Sequence, residues 1–387
     1  MNTVEELRTA MVEQMISTRR LLSPSWIAAF ADVPRHAFLR RFFRQSDDLS
    51  GWEAVRDTDP TATEMIYTDT TWVTQLDNDP RRWLTARDAG KPVNGIPTSS
   101  GTAPGLMALM LEALDVHDGH RVLEIGTGSG YNAALLCHRL GASLVTTVEV
   151  DPTVASAARD GLNLSGYQPT IIVADGADGH PRSVPYDRLI ATCSVPTIPP
   201  AWVEQIRPGG VILTSLYRDL GGGPLIRLHV AEAGHAEGRF LPDYGDLMPL
   251  HAYPPADAAR RLDAAVANDE SDTRETSLGP DVLDDPDFGM VLALQLPSVT
   301  SIGFDPATGP QRWLLADDGS CACLAETTGA VSQHGSRRLW DEVEAAHRWW
   351  LDAGSPSRDR FGLTVAGSRQ WVWLDNHDRR LPESRQA

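Results

Sequence analysis

VLEIGTGSGYNAALL, residues Val122 to Leu136, is a short apolar strand that runs through Glu124 into Gly126, Gly128 and Gly130 and then into a helix. A turn at a strand's carboxyl end must reverse tightly, and a Cβ there would hold a ligand off the backbone. Glycines in these places therefore predict a strand, a ligand-cradling loop and a helix. Outward from this point the pattern repeats. Ala103 to Leu114 reads as an apolar helix, Arg121 to Gly126 as a strand and Asn132 to Leu140 as a helix. Leu144 to Val150 is a strand, Pro152 to Leu164 a helix, Thr170 to Asp175 and Asp187 to Cys193 strands, Pro200 to Gln205 a helix and Gly210 to Leu216 a strand. Buried strands alternating with helices imply crossover connections and a mainly parallel sheet, which is a doubly wound Rossmann-like α/β domain.

Length and composition fit that reading. The chain has 387 residues, with 34 Lys+Arg against 52 Asp+Glu, a net charge of −18. This length predicts more than one folding unit. An acidic surface disfavours nucleic acid as a partner, because binding it requires a cationic face that neutralises several phosphates. The four cysteines, Cys137, Cys193, Cys321 and Cys323, are too few for a disulfide scaffold. The first twenty residues carry early acids and no apolar core of a signal peptide, and no stretch reaches the ~18 apolar residues of a membrane span. The expectation is a cytoplasmic protein with no membrane partner.

The organisation expected is a helical, substrate-contacting segment over residues 1–97, with a polar insertion at 76–95, then the α/β core over 98–255. In the first segment Ser23-Pro24 restarts a helix, with Ser23 as its cap, and Ile66 to Gln75 has strand-like content. The acidic run within 256–281 has a linker's composition. Residues 282–387 read as a small α+β domain and a candidate peptide-recognition module. Its strands include FGMVLALQL from Phe288, and an amphipathic helix spans Arg337 to Ala353 with Leu339, Val343, Ala346 and Trp350 on one face.

The glycine loop lacks the third glycine of a dinucleotide fingerprint, since Tyr131 stands there. Its E-x-G-x-G-x-G spacing instead resembles motif I of class I S-adenosylmethionine-dependent methyltransferases. Three further features fall at the ends of successive strands or before the last one. Glu149 ends the second strand, where an acid can accept hydrogen bonds from both ribose hydroxyls. Asp175-Gly176 ends the third, where the resemblance implies an aspartate facing the adenine amino group, and Pro208-Gly209-Gly210 precedes the strand VILTSL. After the fourth strand ATCSVPTIPP has no Asn or Asp before its prolines, which counts against nitrogen methylation of nucleic acid.

Upstream, TSSGTAPGLMALMLEAL (Thr98 to Leu114) resembles the T-I-S-x-P-x-M segment of protein-L-isoaspartate O-methyltransferases. VPRHAFL from Val33 is similar to that family's V-P-R-H-x-F signature, and Tyr67-Thr68-Asp69 to its A-Y-x-D. The resemblance covers about residues 5 to 255. It implies S-adenosylmethionine as cofactor, with S-adenosylhomocysteine as product, held by Ser100, Gly101, Thr102, Ala103, Glu124, Gly126, Thr127, Gly128, Ser129, Gly130, Asn132, Glu149, Val150, Asp175, Gly176 and Cys193. It implies catalytic roles for Thr102 and Ser100, and substrate contacts at Arg35, His36, Asp69 and Ser194. Thr102 stands where the family has a serine, which keeps the hydroxyl and adds a methyl group. The insertion and the C-terminal region are absent from the compact repair enzymes. With LWDEVEAAHRWWLDAGSPSRDRFGLTV (Leu339 to Val365) they resemble longer actinobacterial homologues that accompany ATP-grasp ligases in graspetide maturation.

The expected reaction is thus methyl transfer to an aspartate side chain of an ATP-grasp-modified peptide, giving an ester that closes to an aspartimide. The alternatives are isoaspartate methylation in damaged proteins and a non-catalytic module that keeps the fold. An ionised carboxylate is already a nucleophile at neutral pH, so it needs only to be positioned, and Thr102 and N–H groups at the start of the Ala103 helix are the expected holders. Arg35, His36, Arg40 and Arg41 form the densest cationic group for an acidic substrate. Cys321-x-Cys323 has no second ligand pair, and no metal site is read.

Overall fold

Val122–Ile125, the strand that feeds the glycine loop, is buried along its whole length, with a parallel neighbour on either side in a mixed sheet. The computed structural model describes residues 3–221, 223–251, 257–266, 272–306 and 309–382. They fall into two units, one of Met1–Cys193, Pro199–Thr214 and Arg227–Ala236, the other of Ser194–Ile198, Ser215–Ile226 and Glu237–Ala387. In the first, Thr170–Val173, Val145–Glu149, Val122–Ile125, Tyr186–Val195 and Ile206–Leu216 lie side by side in that order. Val122–Ile125 pairs in parallel with Val145–Val148 on one side and with Arg188–Ala191 on the other. Numbered along the chain the order is 3-2-1-4-5, so the winding reverses beside Val122–Ile125. A ligand crevice belongs at the carboxyl ends of the strands at such a reversal. This is the doubly wound α/β fold expected.

The amino-terminal region is more than helical. Val4–Ser17 and Pro24–Asp32 are helices, the first closed by a capping box between Thr3 and Glu6. Ser23 holds the cap position of the second, but its side chain does not cap; its hydroxyl turns to Glu112 instead. Four antiparallel strands follow, in the order Trp52–Arg56, Arg41–Gln45, Trp72–Leu76, Pro97–Gly101. The stretch read as one strand from Ile66 divides into a short helix, Ala62–Ile66, and the strand Trp72–Leu76.

The polar insertion at 76–95 contains the helix Arg82–Ala89, which seats Trp83 and Ala86 on Phe43, Val73 and Leu76. The Trp83 indole N–H is shared between the carbonyls of Phe42 and Val55, each at 3.2 Å. One buried tryptophan thus anchors a segment whose average composition is that of a surface loop.

In the second unit five antiparallel strands run Asp272–Glu275, Ala330–His334, Cys321–Ala325, Gln311–Ala316, Val299–Phe304. The helices Pro286–Gln295 and Leu339–Asp352 cover them, and Trp340, Phe288, Leu292, Leu314 and Val343 fill the core. Phe288 to Leu296, expected as a strand, belongs to the first of these helices. Asp285 caps it by accepting from the Asp287 and Phe288 amides at 2.9 Å, with Pro286 in the first turn.

The region expected as a linker, 256–281, holds the helix Ala258–Val266 and the strand Asp272–Glu275; residue 256 and residues 267–271 lie outside the described residues. The strand is polar because it is a sheet edge, and its Arg274 reaches Glu344 at 2.9 Å and Asp341 at 2.6 Å. The second unit accordingly begins well before residue 282 and includes Ser194–Ile198 and Ser215–Ile226.

Candidate functional site

All three loop glycines adopt left-handed backbone, with φ of +89° at Gly126, +53° at Gly128 and +87° at Gly130. A Cβ on Gly126 would meet the Thr192 hydroxyl oxygen at 2.8 Å, and one on Gly130 would meet the Ala158 Cβ at 3.1 Å. At Gly128 the nearest atom would be the Ser100 carbonyl oxygen, at 3.3 Å. That closeness brings the strand Pro97–Gly101 against the glycine loop at Ser100.

Glu149 closes the loop from the neighbouring strand. One carboxylate oxygen accepts from the Gly128 amide at 2.9 Å, the other from the Val150 and Asp151 amides at 3.0 and 3.1 Å. Burial pushes its carboxyl above the ordinary range, while those three amides pull the other way. Beneath the loop Glu124 is fully buried, and burial lifts its carboxyl to about 7 against the opposing pull of Thr147 and Asn132. The Asn132 amide donates to Glu124 Oε1 at 2.7 Å, whereas Oε2 has no partner within bonding distance among the described residues. Thr127 bonds the Thr147 hydroxyl at 2.7 Å, and Ser129 Oγ accepts from the Tyr131 amide at 3.4 Å.

Asp175 is exposed at the end of its strand and caps the turn Gly176–Asp178 by accepting from Ala177 at 2.9 Å. Gly176 is buried, and its carbonyl accepts from the Trp202 indole at 2.8 Å. Val150 is partly exposed beside Glu149. Cys193 is a buried thiol pushed up to about 12, at 3.8 Å from the Ile125 carbonyl, and so is unreactive.

The start of the helix Pro104–Leu114 departs from expectation. The Ala103 amide donates to Thr71 Oγ1 at 3.0 Å and the Gly105 amide to Asp69 Oδ1 at 2.7 Å. The chain's own side chains thus satisfy donors assigned to the substrate, and Asp69 is a helix-capping acid within the molecule. The hydroxyls of Thr102 and Ser100, both half-buried, make no hydrogen bond among the described residues.

Arg35 is a second departure. It is 1% exposed, and its guanidinium donates to the carbonyls of Ile66, of Thr68 and Thr70 at 2.9 Å, and of Thr102 at 3.1 Å. Burial lowers its pKa to about 10. It is a clamp that fixes the Ile66–Thr70 turn and Thr102, and it offers no charge to a substrate. His36 Nδ1 lies 2.7 Å from the Tyr67 hydroxyl, and burial together with Arg8 lowers its pKa. Ser194, expected to touch substrate, is 1% exposed and donates to the Leu247 carbonyl at 2.8 Å, within the second unit.

The sequence reading missed Gln75. Its amide nitrogen donates to Asp151 Oδ2 at 2.7 Å and its amide oxygen accepts from Thr98 Oγ1 at 2.9 Å. Asp151 in turn caps the helix Pro152–Leu164 through the Thr153 amide at 2.7 Å. An Asp immediately before a helix-starting Pro is a readable capping signal; nothing in the sequence marks Gln75.

A nucleoside carrying a ribose diol and a charged tail suits this crevice. The bare loop lets the ligand approach the backbone, Glu149 supplies the acid at the second strand's end, and the orphaned Glu124 Oε2 lies under the loop.

Comparison with known proteins agrees. The family model "Protein-L-isoaspartate(D-aspartate) O-methyltransferase" matches residues 87–219. The chain is 34% identical over 163 residues to the protein-L-isoaspartate O-methyltransferase of Ignicoccus hospitalis, covering 42% of this chain and 76% of that protein. It is 41% identical over 115 residues to the enzyme of the same name from Methanosarcina mazei, covering 29% of this chain and 47% of that one. It therefore spans between about half and three-quarters of the length of these curated relatives. A solved structure titled protein-L-isoaspartate O-methyltransferase shares the fold over 95% of this chain and 100% of its own, with a TM-score of 0.54 and 19% identity. A loop of left-handed glycines closed by a strand-end acid, carried on a core at this level of identity, makes the chain a member of the protein-L-isoaspartate O-methyltransferase family, S-adenosylmethionine-dependent carboxyl O-methyltransferases.

Proposed function

We propose that this chain methylates the free carboxylate of an isoaspartyl residue in a protein or peptide. Bound S-adenosylmethionine would supply the electrophilic methyl group. Gly126, Gly128 and Gly130 would let it lie against the backbone, and Glu149 would accept from its ribose. The acceptor carboxylate is ionised at neutral pH, with an ordinary pKa near ~4, and needs no base. What the chain must do is hold an oxygen in line, and such positioning is worth roughly 7–11 kcal/mol in well-oriented reactions.

The observation that supports this reading is the approach of the Ser100 carbonyl to Gly128, on a strand whose end carries two unengaged hydroxyls, those of Ser100 and, two residues on, Thr102. Those hydroxyls hold the carboxylate, in place of the helix amides that Asp69 and Thr71 occupy. The methyl ester is then open to attack by the following backbone nitrogen, which expels methanol and closes a succinimide.

Incubation with an isoaspartyl peptide and methyl-labelled cofactor tests this: label in the peptide supports it, and none overturns it. A narrower substrate, an aspartate in an ATP-grasp-modified peptide, rests on the resemblance of the insertion, the C-terminal region and the Leu339–Val365 motif. Transfer to such a precursor with none to the isoaspartyl peptide would favour it. Absence of any affinity for S-adenosylhomocysteine would leave a non-catalytic module.

A further inference from the structure

The buried clamp at Arg35 leaves open where this acidic chain presents positive charge to an acidic substrate. In the small antiparallel sheet Arg41 and Arg56 stand directly opposite each other across two paired strands. Like charges in that register repel and weaken the sheet. Both guanidiniums lie over the Trp83 ring, at 4.9 and 5.3 Å from its centroid. Among the described residues neither guanidinium makes a hydrogen bond or ion pair to a carboxylate, although the Arg56 amide donates to Asp59 Oδ2 at 2.9 Å. The nearby acids bind other guanidiniums: Asp59, whose charge also reaches Arg56, holds Arg87 through both oxygens at 2.6 Å, and Asp57 lies 3.8 Å from Arg40. The three strands Arg41–Gln45, Trp52–Arg56 and Trp72–Leu76 all precede the segment matched by the family model, 87–219. The pair is therefore carried outside that matched segment.

We propose that Arg41 and Arg56, stacked on Trp83, form a docking site for carboxylates flanking the methyl-accepting residue in an acidic polypeptide. The edge strand Pro97–Gly101 of the same sheet carries Ser100 three strand spacings from Arg56, about 14 Å at ~4.8 Å each. An extended chain covers that span in about four to five residues. The net charge of −18 repels polyanions in general, so a local cationic pair selects for a segment that brings carboxylates to this one place. The proposal rests on a peptide being the substrate, as set out above.

The test is fluorescence anisotropy with two labelled isoaspartyl peptides, one with Asp and Glu flanks and one with Asn and Gln in their places. Binding needs no turnover, so it is read separately from methyl transfer. The intact protein should prefer the acidic peptide. Arg41→Ala with Arg56→Ala should weaken that peptide about 3- to 10-fold, the scale of two exposed ion pairs, and leave the neutral peptide and S-adenosylhomocysteine unchanged. Arg41→Lys with Arg56→Lys should keep most of the preference. If the double alanine variant does not fold, the single Gln variants replace it. Equal affinity for the two peptides, or a preference that survives the substitutions, would overturn the proposal. So would binding of a labelled oligonucleotide, in place of the acidic peptide, that depends on the two arginines.

Discussion

In the proposed reaction Thr102 is one of two hydroxyls that would orient the acceptor, and its methyl group distinguishes it from the serine of the resembling family. One hydrogen bond to a charged group is worth about 1.5–3 kcal/mol, so Thr102→Ala should lower kcat/KM for the isoaspartyl peptide by ~10- to 150-fold. Thr102→Ser should restore most of the rate, and neither change should alter S-adenosylhomocysteine affinity by calorimetry. Loss in the Ser variant equal to that in the Ala variant would remove the hydroxyl from the site. Glu124 titrates in the opposite sense to a salt-bridged acid. Its folded carboxyl is raised from 4.5 to about 7 by burial, so between those values the folded protein keeps a proton that the unfolded chain releases. Stability from this group is therefore full below pH ~4.5 and falls as pH rises to about 7, by on the order of 3 kcal/mol. Thermal melts across this range should show a flatter pH slope in Glu124→Gln; an unchanged slope would place the proton elsewhere.

At the scale of elements, the glycine loop is an all-or-none construction. Gly126→Ala forces a left-handed alanine, costing roughly 1–2 kcal/mol, and drives a Cβ against Thr192. It should lower the melting temperature and abolish measurable S-adenosylhomocysteine binding; an unchanged affinity would refute the cradle. This loop was legible because glycine spacing, strand ends and hydrophobic runs all report local backbone demands. The doubly wound, mainly parallel sheet followed from the same alternation. What stayed illegible depends on partners distant in sequence. Arg35 reads as a surface cation until Ile66, Thr68, Thr70 and Thr102 turn their carbonyls to it. Asp69 reads as a substrate ligand until Gly105 donates to it. Phe288 to Leu296 is an apolar run of a length that suits strand and helix equally, and only the Asp285-Pro286 cap decides. The polar strand Asp272–Glu275 has a linker's composition because a sheet edge and a linker both face water.

Over the whole molecule, the chain divides into two units, and a hydrophobic core of the second gathers around Trp340. Trp340 is fully buried in the second, and its indole donates to Thr276 Oγ1 at 2.9 Å. Trp340→Ala should cost about 3–5 kcal/mol, seen as an earlier unfolding transition in urea, while the folded fraction keeps its S-adenosylhomocysteine affinity. A weaker affinity would mean that the cofactor crevice feels the second core. Within the first unit, the amide of Gln75 touches Thr98 on the sheet that carries Ser100 and Asp151 beside the acid of the cofactor loop. A short rigid strut of this kind makes the methyl-donor pocket and the acceptor strand share one frame. Any tilt of the small sheet is passed to the strand end beside Glu149, so replacement of that neutral side chain would disturb both sides of the proposed site at a stroke.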